Sequence, residues 1–232
     1  MPPPYYRPVK KNRFFARHTR YSEIDWNNSN TVIKEFRKRI RVWYIKPVKK
    51  LQQTSGDYSF PVAGLTCLLI DMLSQYFPQT PHPPGPGIPG WDFKEFIRQH
   101  LPDYSGPLPV TIRHYRHDTG AVRNLTTLED VIYHALRCGI LHEAHITLYA
   151  GIYGLSGKRY KYYKAKCTKY GNGGKCLTVA VDPHRLFADT LAVFEKYIRH
   201  LNNPKPRYDP LRAAFKAKFL KAFGIDIGNE PT

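Results

Sequence analysis

Acidic residues are scarce in this chain. Only 18 Asp+Glu stand against 36 Lys+Arg, a formal net charge of +18. Charge of one sign in that excess repels itself and weakens a compact state unless a polyanion relieves it. Nucleic acid is the usual polyanion, because phosphate contacts release condensed counterions. RNA is the expected partner, with DNA as the other candidate. Cysteine is also sparse. Cys67, Cys138, Cys167 and Cys176 form no C-x-x-C pair, so neither a zinc site nor any other metal or cofactor is expected. Cys167 and Cys176 flank a glycine-rich turn, which leaves open a bridge across a hairpin, although reduced thiols suit a cytoplasmic protein better. Long apolar runs are missing as well. The stretch Phe60 to Phe77 is broken by Asp71 and Ser74 and reads as a buried helix rather than a membrane span. No apolar run follows the basic start, and Met1-Pro2-Pro3-Pro4 carries no myristoylation signal. No membrane association is therefore expected, and a cytoplasmic location is.

What is present is enough for a globular fold: 232 residues, 42% of them hydrophobic, can bury a normal core without disulfide staples. Residues 1–22 carry Arg7, Lys10, Lys11, Arg13, Arg17 and Arg20 and no acid. They suggest a basic arm, either a solvated tail or a segment that orders on phosphate. Val32, Ile33, Phe36, Ile40 and Trp43 recur at helical spacing, and Pro47 is expected to end or kink that helix. Leu65, Leu68, Leu69, Met72 and Tyr76 mark a central helix. The Pro/Gly-rich stretch Pro78 to Gly90 reads as a loop, a short helix covers Asp92 to Leu101, and Val110 to Tyr115 reads as a strand. A further helix spans Leu125 to His142, with Thr126 or Thr127 as its cap. Ile146 to Ile152, Arg159 to Cys167 and Leu177 to Val181 read as strands of a small antiparallel sheet, an insertion at about 144–181. Asp182-Pro183 opens a helix with the stripe Leu186, Phe187, Leu191, Phe194, Ile198 and Leu201. A last helix starts at Asp209, shows Leu211, Phe215, Phe219 and Phe223, and stops at Gly224. The fold class is mainly α, with residues 23–232 as one helical domain.

The segment Leu136-Arg137-Cys138-Gly139-Ile140-Leu141-His142-Glu143 resembles the motif of the HEPN superfamily, an Arg followed four to six residues later by a His near the end of a helical bundle. The resemblance covers the helices from about Thr31 to His142 and the helix from Pro183. It implies a HEPN-like bundle, a homodimer, and a metal-independent endoribonuclease of the toxin–antitoxin or phage-defence type, with an antitoxin as a further partner. Arg137 and His142 would be the catalytic pair, with Glu143 beside them in support. Asp71, a lone acid in the most apolar helix, is read as a supporting residue that orients Arg137 or His142, or else as the edge of the buried face. The chemistry suits such a pair. RNA carries its own nucleophile in the 2′-hydroxyl, a histidine moves the proton, and an arginine fork holds the phosphate. Cys138 stands where the family often has a polar residue. Residues five apart on a straight helix lie about 140° apart, so convergence calls for a break, for which Gly139 is placed. The same spacing recurs at Arg13 and His18, and only the helical context singles out Arg137. Its other reading is structural, with Arg137 paired to Glu143 or Asp71.

A second constellation is a binding surface. From Ala144 to Val181 there is no acid. Lys158, Arg159, Lys161, Tyr163, Lys164, Lys166 and Lys169 interleave cations with aromatics there, a pattern in which rings stack on bases and cations hold phosphates. The competing reading is an ordinary strand with its tyrosines turned inward. Three functions stay open on these grounds: a HEPN-like endoribonuclease, a non-catalytic nucleic-acid binder, and a scaffold or antitoxin-like partner of an acidic protein.

Overall fold

The computed structural model describes residues 14–78, 81, 90–115, 122–143, 146, 149–154, 158–166 and 175–228. In chain order the elements are β1 (Phe14–Ala16), β2 (Thr19–Arg20), α1 (Ser29–Ile40), α2 (Lys46–Gln53), α3 (Ser59–Ser74), α4 (Trp91–His100), β3 (Pro107–Tyr115), β4 (Val122–Thr127), α5 (Leu128–Val131), α6 (Gly139–Glu143), β5 (Ala150–Ile152), β6 (Tyr160–Lys166), β7 (Lys175–Val181), α7 (Pro183–Leu201) and α8 (Asp209–Phe223). The fold is mainly helical with small sheets, as the periodicity implies. π-helical turns join α1 to α2 (Arg41–Ile45) and α5 to α6 (Ile132–Cys138). No helix among the described residues is long and apolar enough to cross a membrane.

Local rules set the helix starts. Asn28 caps α1 by accepting from the Thr31 N–H at 3.1 Å. Thr127, not Thr126, caps α5 through the Asp130 N–H. Asp182 caps α7 by accepting from His184 and Arg185 at 2.9 and 3.1 Å, with Pro183 in the first position, where its missing N–H costs nothing. α8 ends at Gly224 in the left-handed conformation, φ 68°, which only glycine adopts without strain.

The chain divides into two compact units. The first comprises the described residues within Met1–Lys50, Gln75–Gln79 and Phe194–Thr232. Its core is aromatic. The Phe36 ring lies 4.8 Å from Tyr76 and 5.3 Å from Phe215, and Phe15 lies 5.3 Å from Tyr21 and 5.6 Å from Trp26. Residues 14–22, read as the end of a basic arm, are built into this unit. They form the β1–β2 hairpin and a 3-10 turn, and Phe15 is fully buried. Arg39 donates to the Phe15 carbonyl and covers its ring. An apolar side chain in a basic segment was the overlooked signal. Residues 1–13 of the arm lie outside the described residues.

The second unit holds the described residues within Leu51–Ser74 and Thr80–Val193. α3 is its central helix and packs on α4, β5 and the helix that carries Arg137. The buried side of α3 is Val62, Ala63, Cys67, Leu69, Ile70 and Leu73, whereas Leu65, Leu68 and Met72 are half-buried. Each fully buried Leu or Ile there contributes about 1.5–3 kcal/mol. β3 pairs antiparallel with β4. β4 was not foreseen, since its Arg, Asn and Thr residues do not read as a strand. The third sheet has the order β5-β7-β6 and is mixed: β7 runs parallel to β5 and antiparallel to β6. This corrects the purely antiparallel expectation. β7 takes the centre because Val179, Ala180 and Val181 are buried in succession, as a strand covered on both faces requires. The Lys/Tyr strand β6 is left at an edge, where charge is tolerated.

Candidate active site

Three helical segments of the second unit converge on Arg137. The helix from Leu128 to Glu143 is continuous. Gly139, expected to break it, is helical at φ −59°, ψ −49°. The departure comes earlier, in the π-turn Ile132–Cys138, where the Gly139 N–H donates to the His134 carbonyl five residues back. Such turns widen a helix and are frequent at functional sites. Arg137 sits at the end of the widened stretch, and its long side chain spans the remaining angle to His142.

The Arg137 guanidinium is the hub. Its Nη1 donates to His142 Nε2 at 2.9 Å, and its Nη2 donates to Asp71 Oδ2 at 3.1 Å. Its carbon lies 5.7 Å from the centre of the Tyr133 ring. A guanidinium has no acceptor, so His142 Nε2 must be the acceptor. This contact fits the tautomer that carries its proton on Nδ1. Burial pulls the Arg137 guanidinium down, but the bond and charge of Asp71 outweigh it and hold Arg137 above its ordinary value. Arg137 therefore stays a cation at any working pH. Its buried Nε has no partner among the described residues, and an unmet buried donor costs about 1–3 kcal/mol.

α3 supplies Asp71 through a close approach. An added Cβ at Gly64 would lie 3.1 Å from Ile140 Cγ2, so glycine lets α6 sit against α3 at this level. Asp71 is two helical turns along the same face. His142 is exposed, while Arg137 and Asp71 are partly open, their side chains 21% and 29% exposed. The site is thus a partly open cluster of a fixed cation, a carboxylate and an exposed imidazole. Among the described residues no three His, Cys, Asp or Glu side chains gather as metal ligands.

The predicted residues separate as follows. Arg137, His142 and Asp71 are brought together. Glu143 ends α6 by its backbone, and its side chain is outside the described residues. The sequence missed Tyr133, although it lies four residues before Arg137, a helical neighbour. It also missed a second Arg–His contact, Arg123 Nη1 to His134 Nε2 at 3.2 Å. That histidine is buried and out of reach of a ligand. The two described free thiols are Cys67 and Cys138. Burial pushes the Cys67 thiol up to about 12, so it is chemically quiet.

The basic strand divides by face. Lys161 and Tyr163 point to solvent, with Lys161 Nζ 4.9 Å from the Tyr163 ring centre. Tyr160 and Tyr162 lie half-buried on the other side, their rings 5.4 Å apart. Lys158 is exposed at the strand entrance. Arg159 is no free cation. It donates to Asp189 at 2.7 Å and lies 3.3 Å from Asp103, which ties the strand to α7. Lys164 and Lys166 belong to β6 by their backbone pairing with Leu177 and Lys175; their side chains, and all of Lys169, lie outside the described residues. Cys176 pairs with Ala165 in β7 and β6, and Cys167 is outside the description.

No family model, curated protein or solved structure matches this chain.

Proposed function

We propose that the chain is a metal-independent endoribonuclease of the HEPN type, working as a homodimer, with Arg137 and His142 acting on the scissile phosphate and Asp71 positioning Arg137. One observation carries the reading: the line Asp71–Arg137–His142, with hydrogen bonds of 3.1 and 2.9 Å, ends in an exposed imidazole. In the free chain Arg137 occupies the His142 lone pair. A phosphate oxygen is a stronger acceptor for a guanidinium than a neutral imidazole is. Substrate would therefore draw Arg137 onto its non-bridging oxygens and release His142 Nε2. His142 then takes the proton of the 2′-hydroxyl as the O2′–P bond forms. Arg137 stabilises the charge on the five-coordinate phosphorus, and the P–O5′ bond breaks. The leaving oxygen takes a proton from water or from the His142 of the second protomer. The products are a 2′,3′-cyclic phosphate and a 5′-hydroxyl. The permanent cation at the hub repels a divalent metal, so cleavage should persist in EDTA.

The test is incubation of purified protein with single-stranded RNA in EDTA, with His142→Ala as control and 2′-O-methyl RNA as an uncleavable ligand. Loss of cutting in the variant and a cyclic phosphate product support the reading. Cutting that stops in EDTA, or cutting of 2′-O-methyl RNA, refutes it. The second reading, a non-catalytic nucleic-acid binder, is favoured by the exposed Lys161–Tyr163 pair on an edge strand. It predicts salt-dependent binding with no cleavage.

A further inference from the structure

Trp43 was expected in the buried stripe of the first helix, and it is 57% exposed. The helix does not stop at Pro47. Ser29–Gln53 runs on through it by way of the π-turn Arg41–Ile45, with the Lys46 N–H donating to the Arg41 carbonyl five residues back. Phe36 and Ile40 are buried one turn apart, and the next core residues are Ile45 and Val48. An unbroken period would have continued the stripe through Trp43. The extra residue in the turn moves Ile45 inward and Trp43 outward. Pro47 accounts for the turn, since a proline ring collides with the carbonyl four residues back and offers no N–H. It does not account for the largest apolar side chain of the helix standing in water.

The surroundings of that indole are cationic. Lys46 and Lys49 follow Trp43 at three-residue steps, so they are neighbours on the helix surface. Both are exposed, and no ion pair or hydrogen bond among the described residues engages either. Within Ser29–Gln53 the one acid is Glu35, which lies 3.3 Å from Lys38, and Glu195 is engaged by Arg37 and Arg41 at 2.6 and 3.9 Å. We infer that Trp43, Lys46 and Lys49 form a docking surface for single-stranded nucleic acid, with a base stacked on the indole and phosphates on the two ammonium groups. A duplex offers no free base face to an indole. An acidic peptide would engage the lysines and leave the indole idle. The inference rests on the reading that the polyanion partner is nucleic acid, but it is independent of cleavage.

The experiment measures binding of labelled oligothymidylate, which lacks the 2′-hydroxyl and so scores binding without turnover. 2′-O-methyl oligouridylate serves as the RNA arm and polyglutamate as the acidic-peptide arm. Trp43→Ala should weaken binding about 5- to 100-fold, the effect of removing one base-stacking platform, and Trp43→Phe should lose less. Lys46→Gln and Lys49→Gln should each flatten the log–log salt dependence by about 0.7. All three side chains are exposed, and circular dichroism checks that the fold is intact. Unchanged affinity and salt slope across these variants overturn the proposal. Polyglutamate bound as tightly as the oligonucleotide would overturn it in favour of an acidic protein. Trp43-dependent self-association in sedimentation, without oligonucleotide binding, would overturn it in favour of a second copy. Failure of the nuclease reading looks different: RNA stays uncut while oligothymidylate still binds through Trp43.

Discussion

Two charge clusters in the second unit use the same side-chain chemistry and differ in how completely it is satisfied. In the first, Lys94 of α4 donates to Asp130 at 2.9 Å, and Arg98 donates to Glu129 at 2.7 Å and to Glu95 at 2.9 Å. Glu129 also accepts from the Gly106 N–H at 3.1 Å. Three carboxylates meet two cations, and Lys94 and Glu129 are buried. In the second, Arg137 meets one carboxylate, a neutral imidazole and a ring face, and its Nε is left over. A closed cluster with surplus acid fixes α4 against α5 and has nothing to offer a ligand. The open cluster balances one cation with one carboxylate and keeps an unmet donor and an exposed imidazole. Hydrogen-bond completeness, more than residue type, separates the two clusters here.

The largest expected effect tests the open cluster. His142→Ala should lower RNA cleavage about 10²- to 10⁴-fold, the range for a general acid–base group. The same change should alter the unfolding free energy from urea titration by less than about 0.5 kcal/mol, since the side chain is exposed. A cleavage rate that survives this substitution would return Arg137 and His142 to a structural role. The closed cluster should behave in the opposite way. Asp130→Ala leaves Lys94, 6% exposed, as a buried unpaired cation, a loss of about 3–5 kcal/mol. Chemical denaturation reads it directly, and a variant as stable as the parent would show that Lys94 escapes to solvent. Asp71→Asn is intermediate. It keeps the shape and removes the charge behind Arg137, so cleavage should fall about 10- to 100-fold through misplacement of the guanidinium. Stability should change by only about 1 kcal/mol, because the pair is partly open. An equal loss in both readouts would erase the distinction between the clusters.

Much of this architecture was legible in the sequence, and the misses have specific causes. Asp182-Pro183 marks a helix start because both residues act locally. Phe215, Phe219 and Gly224 mark α8 for the same reason. Trp43 was misplaced because one i→i+5 turn shifts every later residue, and a 3.6-residue period cannot see it. Likewise Gly139 was expected to bend a helix that widens before it. In the site, Arg137 and His142 are five residues apart, and their pairing could be anticipated. The Asp71–Arg137 bond spans 66 residues and depends on Gly64 admitting Ile140, so only the chemistry of a lone acid in an apolar helix pointed to it. The order β5-β7-β6 was hidden because strand order follows which strand is most apolar on both faces, a comparison that nearest-in-sequence pairing ignores.

The smallest effect concerns acid. The Asp130 carboxyl would be raised by burial, but the hydrogen bond and charge of Lys94, with Thr127 and the Thr126 backbone, hold it below its ordinary 3.8. The unfolded chain therefore binds this proton more tightly than the folded one. The stabilisation from Asp130 is complete above the ordinary value and is lost as pH falls through the lower folded one. Glu95 shifts in the same direction through Gln99 and Arg98, against a burial penalty, but it is more exposed and contributes less. Urea midpoints followed downward from about pH 5 should drop in the parent, and the drop should be shallower in Asp130→Asn, which has no proton to take up at this position. The open cluster gives the internal control. His142→Ala leaves Lys94 and Asp130 untouched, so its midpoint should fall with acid as steeply as that of the parent. If Asp130→Asn and the parent lose stability in parallel, the Lys94–Asp130 bond is not the acid-sensitive element, and the closed cluster owes its strength to Arg98 and Glu129 instead.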